Sequence, residues 1–340
     1  MRRFVPLPFL AMHRRLLPAV LLIAMSPFAS AQMLKDPALE ALYQADRFDD
    51  LQRAAAARVA AQPDDAQAVL GVALAALARD DAPARLAAIQ RAEACIGKQP
   101  KAAPCQYALG TVLGIQAMSE GMFKAARSVG TIRDALQAAH EIEPAWFPAR
   151  SALSEFYLLA PGMMGGSASK AAELARSAPK PEQVRLLQAR AAAQEKKFEQ
   201  ALQLFMALPA ELEPVVAEDA RAWATQCVLV MAGTGQAAKA QPLAEKMARE
   251  HARHAQPAYA LARVRAEAGA HEEALKLYEQ AAALKGADEL PTGYRIGVEL
   301  HELGRKAEAK AAFTRYLASG KGPKGAKDDA KKRLEQLAAG

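Results

Sequence analysis

The stretch Tyr259-Ala-Leu-Ala-Arg-Val-Arg-Ala-Glu-Ala-Gly269, then Ala-His-Glu-Glu-Ala274-Leu-Lys-Leu-Tyr278-Glu-Gln-Ala281, is written a second time. The second copy reads Tyr294-Arg-Ile-Gly-Val-Glu-Leu-His-Glu-Leu-Gly304, then Arg-Lys-Ala-Glu-Ala309-Lys-Ala-Ala-Phe313-Thr-Arg-Tyr316. A spacing of 35 residues separates Gly269 from Gly304, Ala274 from Ala309 and Tyr278 from Phe313. Each copy is an apolar helical pattern, a glycine turn and a second helical pattern. Such a unit cannot bury its own apolar face and must stack on neighbours, which predicts a helical solenoid. Composition agrees: 52% of residues are hydrophobic but only 6% aromatic, with alanine carrying much of the total, as closely packed helices require.

These residues resemble the tetratricopeptide repeat. Leu261-Ala262, Gly269, Ala274, Tyr278 and Ala281 match the family pattern in one copy. Ile296-Gly297, Gly304, Ala309 and Phe313 match it in the next, with Tyr316 where the last small residue belongs. Alanine and glycine let helices approach, the aromatic fills the remaining space, and the turn glycine accepts a left-handed backbone at little cost. The resemblance implies an all-α fold, a right-handed superhelix of antiparallel helix pairs forming a TPR-like α-solenoid. It also implies that the first helix of each unit lines the concave face. On that stripe the expected binding groove comprises Tyr259, Arg263 and Glu267, with Tyr294, Val298, His301 and Glu302 in the next unit. Aromatic rings beside arginine suit an extended peptide.

The first residues read differently. Arg14-Arg15 precede the apolar run Leu16 to Met25, and Ala29-Ser-Ala31 precedes Gln32. This is the pattern of a secretory signal peptide over residues 1–31, cut between Ala31 and Gln32. The apolar run is short for a membrane span. A start at Met12 gives a more conventional leader. The formal charge of +7 falls to +3 once Arg2, Arg3, Arg14 and Arg15 are removed with the leader, which contains no acids. The basicity is thus partly a targeting signal, and nucleic acid is not an expected partner. No later segment is long and apolar enough to span a bilayer. The expected location is exported, most simply periplasmic.

Degenerate repeats fill 32–322, about seven to eight of them, clearest over 255–320, and a capping helix closes 323–340. Phe48 to Gln62-Pro63 looks like the second helix of the first unit; Leu70-Gly71 and Leu109-Gly110 open the second and third. Insertions fall near 115–131 and 160–168. Apolar Met122, Ala126, Val129, Ile132, Leu136, Ala139 and Ile142 predict a helix of some six turns where the family needs three. The turn Pro161 to Ser167 holds Met163 and Met164, expected to insert beside that long helix; the alternative is an exposed second contact patch. Pro242 in the sixth unit is tolerable if its helix starts late.

Chemistry-bearing residues are few. Cys95 and Cys105 flank a helix-to-helix turn, so antiparallel packing brings them together either as a disulfide or as two separately buried thiols. Cys227 matches the inward positions Leu261 and Ile296 and reads as a small buried hydrophobe. His251 and His254 share a helical face, but no cluster completes a metal site, and an exposed pair near a helix end is the simpler reading. Glu272-Glu273 and Asp328-Asp329 sit where helices are expected to start. No catalytic motif is present. The expectation is therefore a non-enzymatic scaffold without cofactor or metal, binding a protein or peptide of the cell envelope in assembly or maturation of a complex. The competing reading is a small-molecule or metal-binding protein using the Pro-Gly-rich turn and the long central helix.

The first residue of the exported protein is expected to be Gln32, and mass spectrometry of protein recovered from the envelope compartment reads it directly; an intact leader would overturn export as a cleaved protein.

Overall fold

The computed structural model describes residues 32–79, 81–120 and 122–339. The leader expected over residues 1–31 lies outside the described residues. From Gln32 onward the chain forms one compact unit of paired antiparallel helices. The pairs are α1 (Pro37–Gln44) with α2 (Phe48–Ala61), α3 (Ala66–Ala78) with α4 (Ala82–Lys98), α5 (Ala103–Glu120) with α6 (Met122–Ile142), and α7 (Phe147–Leu159) with α8 (Ala168–Arg176). They continue as α9 (Pro181–Gln194) with α10 (Phe198–Met206), α11 (Pro214–Gly233) with α12 (Ala237–Glu250), α13 (Ala255–Glu267) with α14 (His271–Ala282), and α15 (Thr292–Glu302) with α16 (Lys306–Ala318). The closing helix is α17 (Lys324–Ala339). The two helices of each unit pack on each other, and each unit packs on the next.

The two helices of a unit have different surfaces. In α3, every residue from Ala68 to Ala76 is buried, because a first helix is sandwiched between neighbouring units and its own partner. Second helices bury one stripe, such as Leu51, Ala55 and Val59 in α2 or Ala274, Tyr278 and Ala281 in α14. The approach is close. A Cβ on Gly110 would lie 2.7 Å from Leu136, and one on Gly297 would lie 2.6 Å from Phe313. No side chain fits between these helix pairs.

One hairpin recurs through the chain. Two residues before its second helix, each of five units places a positive φ: Asp46 (53°), Lys196 (60°), Gly235 (76°), Gly269 (79°) and Gly304 (72°). At each of these turns the following N–H donates five residues back, from Arg47 to Leu42, Lys197 to Ala192, Gln236 to Met231, Ala270 to Arg265 and Arg305 to Leu300, at 2.8 to 3.0 Å. This is the bond that closes a helix end through a left-handed residue. Asp46 and Lys196 hold that backbone without being glycine, at a cost of about 1 kcal/mol each. The repeat survives there in the backbone after its glycine signature has gone from the sequence.

The third and fourth units depart as their length implies. Helix α6 runs 21 residues and α5 runs 18, so this hairpin is the longest in the chain. After α7, Gly162–Met164 forms a single 3₁₀ turn, and the Ser167 N–H donates to the Tyr157 carbonyl at 2.8 Å, folding the insertion back on its own helix. Met163 is 93% exposed rather than inserted, and Met164 is half-buried. The turn lies against α6 while Met163 stays open to solvent, so Met163 belongs to the exposed alternative.

Two local expectations also change. The sixth unit's second helix does not start late: α12 runs through Pro242, which sits on its exposed side where the carbonyl left without a helical donor can meet water. Asp328 and Asp329 fall in the second turn of α17 rather than at its start, so they do not cap it.

Cys95, at the end of α4, is bonded to Cys105 in the first turn of α5 with Cα atoms 6.2 Å apart, and both residues are fully buried. The bridge joins residues 10 apart, and by restricting the unfolded chain it stabilises the fold, though less than the closure of a longer loop would. The C95A/C105A double variant is expected to lose about 2–3 kcal/mol of unfolding free energy in denaturant titration. In the oxidised, denatured native chain only Cys227 should alkylate.

Candidate functional site

Of the C-terminal groove expected from the sequence, Tyr259 and Val298 are buried, Arg263, Tyr294 and His301 half-buried, and Glu267 and Glu302 exposed. Tyr259 is 4% exposed and meets Tyr278 edge-on, with ring centroids 5.3 Å apart. Val298 is buried as well. Arg263 is mostly covered and pairs with Glu267 at 2.6 Å. Tyr294 donates from its hydroxyl to Asp329 Oδ2 at 2.7 Å, and Arg333 of α17 lies 3.1 Å from His301 Nδ1 and 3.4 Å from Glu302. The capping helix therefore packs against half-buried Tyr294 and His301 and touches Glu302, which stays exposed. A solenoid's last unit has no successor, and α17 takes the place of the missing first helix. Tyrosine at position 259 fills core space as well as it would contact a ligand, so residue type could not separate the two roles.

The open chemistry lies further back, on the inner side of the curve. Helix α7 touches α9 and also α11, two units away, which places the first helices on the inside. The curve brings the chain's start to its sixth and seventh units: the Tyr43 hydroxyl donates to Glu218 Oε2 at 3.3 Å, and Asp46 pairs with Lys285.

At the centre is Arg190 of α9, fully buried. It donates to Asp219 Oδ2 at 2.8 Å, to Ser151 Oγ at 2.5 Å and to Glu155 Oε2 at 3.3 Å. Ser151 in turn donates to Asp219 Oδ2 at 2.5 Å. The guanidinium also lies over the Trp223 ring, 4.7 Å from its centroid. One cation thus ties α7, α9 and α11 together. Removing it would leave buried acceptors uncompensated, the costly way to break such a network.

Two carboxylates around this network remain reachable from solvent. The Glu155 side chain is 45% exposed to water, and Glu218 is exposed too. Yet protein surrounds both in the curve, and this burial raises each carboxyl above its ordinary value of 4.5 against the pull of Arg190 and Arg221 respectively. Burial likewise raises the Tyr43 and Tyr107 hydroxyls, which therefore stay protonated donors. Tyr107 packs on Trp146 with centroids 4.9 Å apart. The inner face thus presents carboxylates beside the half-buried rings of Tyr43 and Trp223 in a space that is wet but enclosed. None of Tyr43, Glu155, Arg190, Glu218 or Asp219 stood out in the sequence, because their neighbours here come from helices up to 175 residues apart.

Other candidates resolve plainly. Cys227 is buried and its thiol is pushed up to about 11 by burial, which suits a packing role. His251 and His254 are half-buried rather than exposed, their rings 6.3 Å apart, and burial lowers both, His254 to about 4. Among the described residues, no group of three or more His, Cys, Asp or Glu could hold a metal ion. No described helix is long and apolar enough to cross a membrane.

No family model matches the chain, and none of the curated proteins does. Solved structures do. Over 80% of this chain and 63% of the other, it superposes on a human IFIT1 dimer with m7Gppp-AAAA at a TM-score of 0.52 and 13% identity. A tetratricopeptide repeat protein from Parabacteroides merdae gives 0.47 at 13% identity, over 80% of this chain and 98% of that one. The APC/C hetero-tetramer Cut9–Hcn1 gives 0.49 at 13% identity over 87% of this chain, which spans only 48% of that one. The fold is a TPR-like α-solenoid. Solenoids of this type typically mediate protein–protein interaction. At these identities the likeness concerns fold alone, and the capped RNA remains a property of IFIT1.

The raised carboxyls make a pH prediction. A group whose folded value lies above its unfolded value stabilises below the unfolded value and loses that contribution as pH rises through the folded one. The E155Q/E218Q variant should therefore melt higher than the native protein near about pH 8 and match it near about pH 4, as calorimetry at the two pH values would show.

Proposed function

We propose that the protein is an exported, non-enzymatic scaffold, periplasmic when mature, that holds an extended segment of a cell-envelope protein or peptide against its inner face. Assembly or maturation of an envelope complex is the role this fits. Export rests on the leader, with Arg14-Arg15, the apolar run Leu16 to Met25 and Ala29-Ser-Ala31. The binding mode rests on one observation: Glu155 and Glu218 stand open to water inside a curve that desolvates them, beside the Arg190–Trp223 stack. Each gains from a cationic group brought by a partner, and the neighbouring rings offer apolar area at low entropy cost. A segment carrying lysine or arginine is the matching occupant. Catalysis has no comparable support: Glu155 is held by the fixed Arg190, and Glu218 accepts from the Tyr43 hydroxyl.

Affinity capture from an envelope extract, using the mature protein and its E155Q/E218Q variant in parallel, tests this. A single envelope protein should be enriched by the native chain and at least roughly tenfold less by the variant, the loss of one or two charge-assisted bonds. Equal recovery by both, or no enrichment by either, would remove the inner-face reading.

A further inference from the structure

A second cavity lies away from the inner face, where the turn between α14 and α15 meets the end of α16 and the loop before α17. Its volume is about 380 Å³, within the range of small-molecule sites. Leu290, Ile296 and Ala312 give it apolar walls.

Two polar groups in its lining have no use inside the protein. Thr292 is 3% exposed and Tyr316 is 7% exposed, and neither Thr292 Oγ1 nor Tyr316 Oη has a hydrogen-bond partner. Folded proteins rarely leave a buried hydroxyl unpaired, and both of these residues line this cavity. Tyr316 stands where the repeat pattern has a small residue, so the hydroxyl is an addition to the fold. The loop accommodates it: Gly322, at φ +87°, has no side chain, and a Cβ there would lie 2.3 Å from Tyr316 Oη. Arg315 and Lys321 also line the cavity, both exposed, and neither has an ion-pair partner among the described residues. Among the described residues of the lining, Asp288 is the one acid against two cations. Burial raises the Tyr316 hydroxyl, which keeps its proton at neutral pH.

We propose that this cavity binds a small carboxylate with an apolar body, its oxygens accepting from Thr292 and Tyr316, its charge met by Arg315 and Lys321, and its body against Leu290 and Ile296. The carboxylate can belong to a free aliphatic acid or to the last residue of a peptide, since the recognised chemistry is the same. A phosphate group fits less well, because two neutral hydroxyls and an apolar wall leave most of its oxygens unmet.

Titration calorimetry on the mature, disulfide-intact protein with 4-methylpentanoate, N-acetyl-leucine and N-acetyl-leucinamide reads the site. Both acids should bind, and the amide at least roughly tenfold more weakly, since it lacks the charge. Tighter binding of the free acid marks a metabolite-like ligand; tighter binding of N-acetyl-leucine marks a chain end. T292V and Y316F each remove one unpaired hydroxyl without changing shape, so each should keep or raise the melting temperature while weakening the acids several-fold. R315Q, on an exposed rim residue, should do the same without touching the fold. No heat with either acid, equal affinity for the amide, or undiminished binding in all three variants would overturn the proposal.

Discussion

The close approach of helices through alanine and glycine is the constraint on which the rest of this molecule depends. Gly110 against Leu136 and Gly297 against Phe313 leave no room for even a methyl group. Dispersion contacts at that distance are many and individually weak, so the array is held by their number. The same constraint leaves α3 nearly featureless in sequence from Ala68 to Ala76, because all its sides there meet other helices. It also bends the array. On its inner side α7 meets α11, two units away, and the accumulated curvature brings α1 to α11.

That curvature creates the polar interior. Arg190 reaches Asp219, Ser151 and Glu155 only because three successive first helices converge on the inside of the bend. A fully buried guanidinium is retained at a desolvation cost that apolar side chains of similar size would avoid. It fixes how far α7, α9 and α11 close, and so sets the width of the space in which Glu155 and Glu218 stand. The raised carboxyls belong to the same geometry: the groove that admits water withholds most of the solvation a free carboxylate has. Stability is given up there, in a place a partner can reach.

The array is pinned by different means along its length. Between the second and third units, the Cys95–Cys105 bond spans their connecting turn. At the end, α17 packs against Tyr294 and His301 and reaches the exposed Glu302 with Asp329 and Arg333, polar contacts over an apolar base around Ala330. The cap costs the last unit its inner face, and the loop leading into α17 forms one wall of the cavity that holds Thr292 and Tyr316.

The 35-residue period by itself determined the paired helices, their turns and the capping helix, since spacing of apolar and small residues is a local property that each unit states for itself. The long α6 was legible for the same reason, its apolar stripe being continuous from Met122 to Ile142. The nearness of Cys95 and Cys105 followed from the single turn between them. Tertiary structure alone decided which aromatic residues face inward, why Met163 is exposed, and which side chains meet across the bend. Tyr259 and Tyr294 have one residue type and one register, yet one is core and the other lies under a helix 35 residues downstream. Such contacts depend on the summed rotation of several units, a quantity no single repeat encodes, and Arg190 acquires its partners only when that sum is complete.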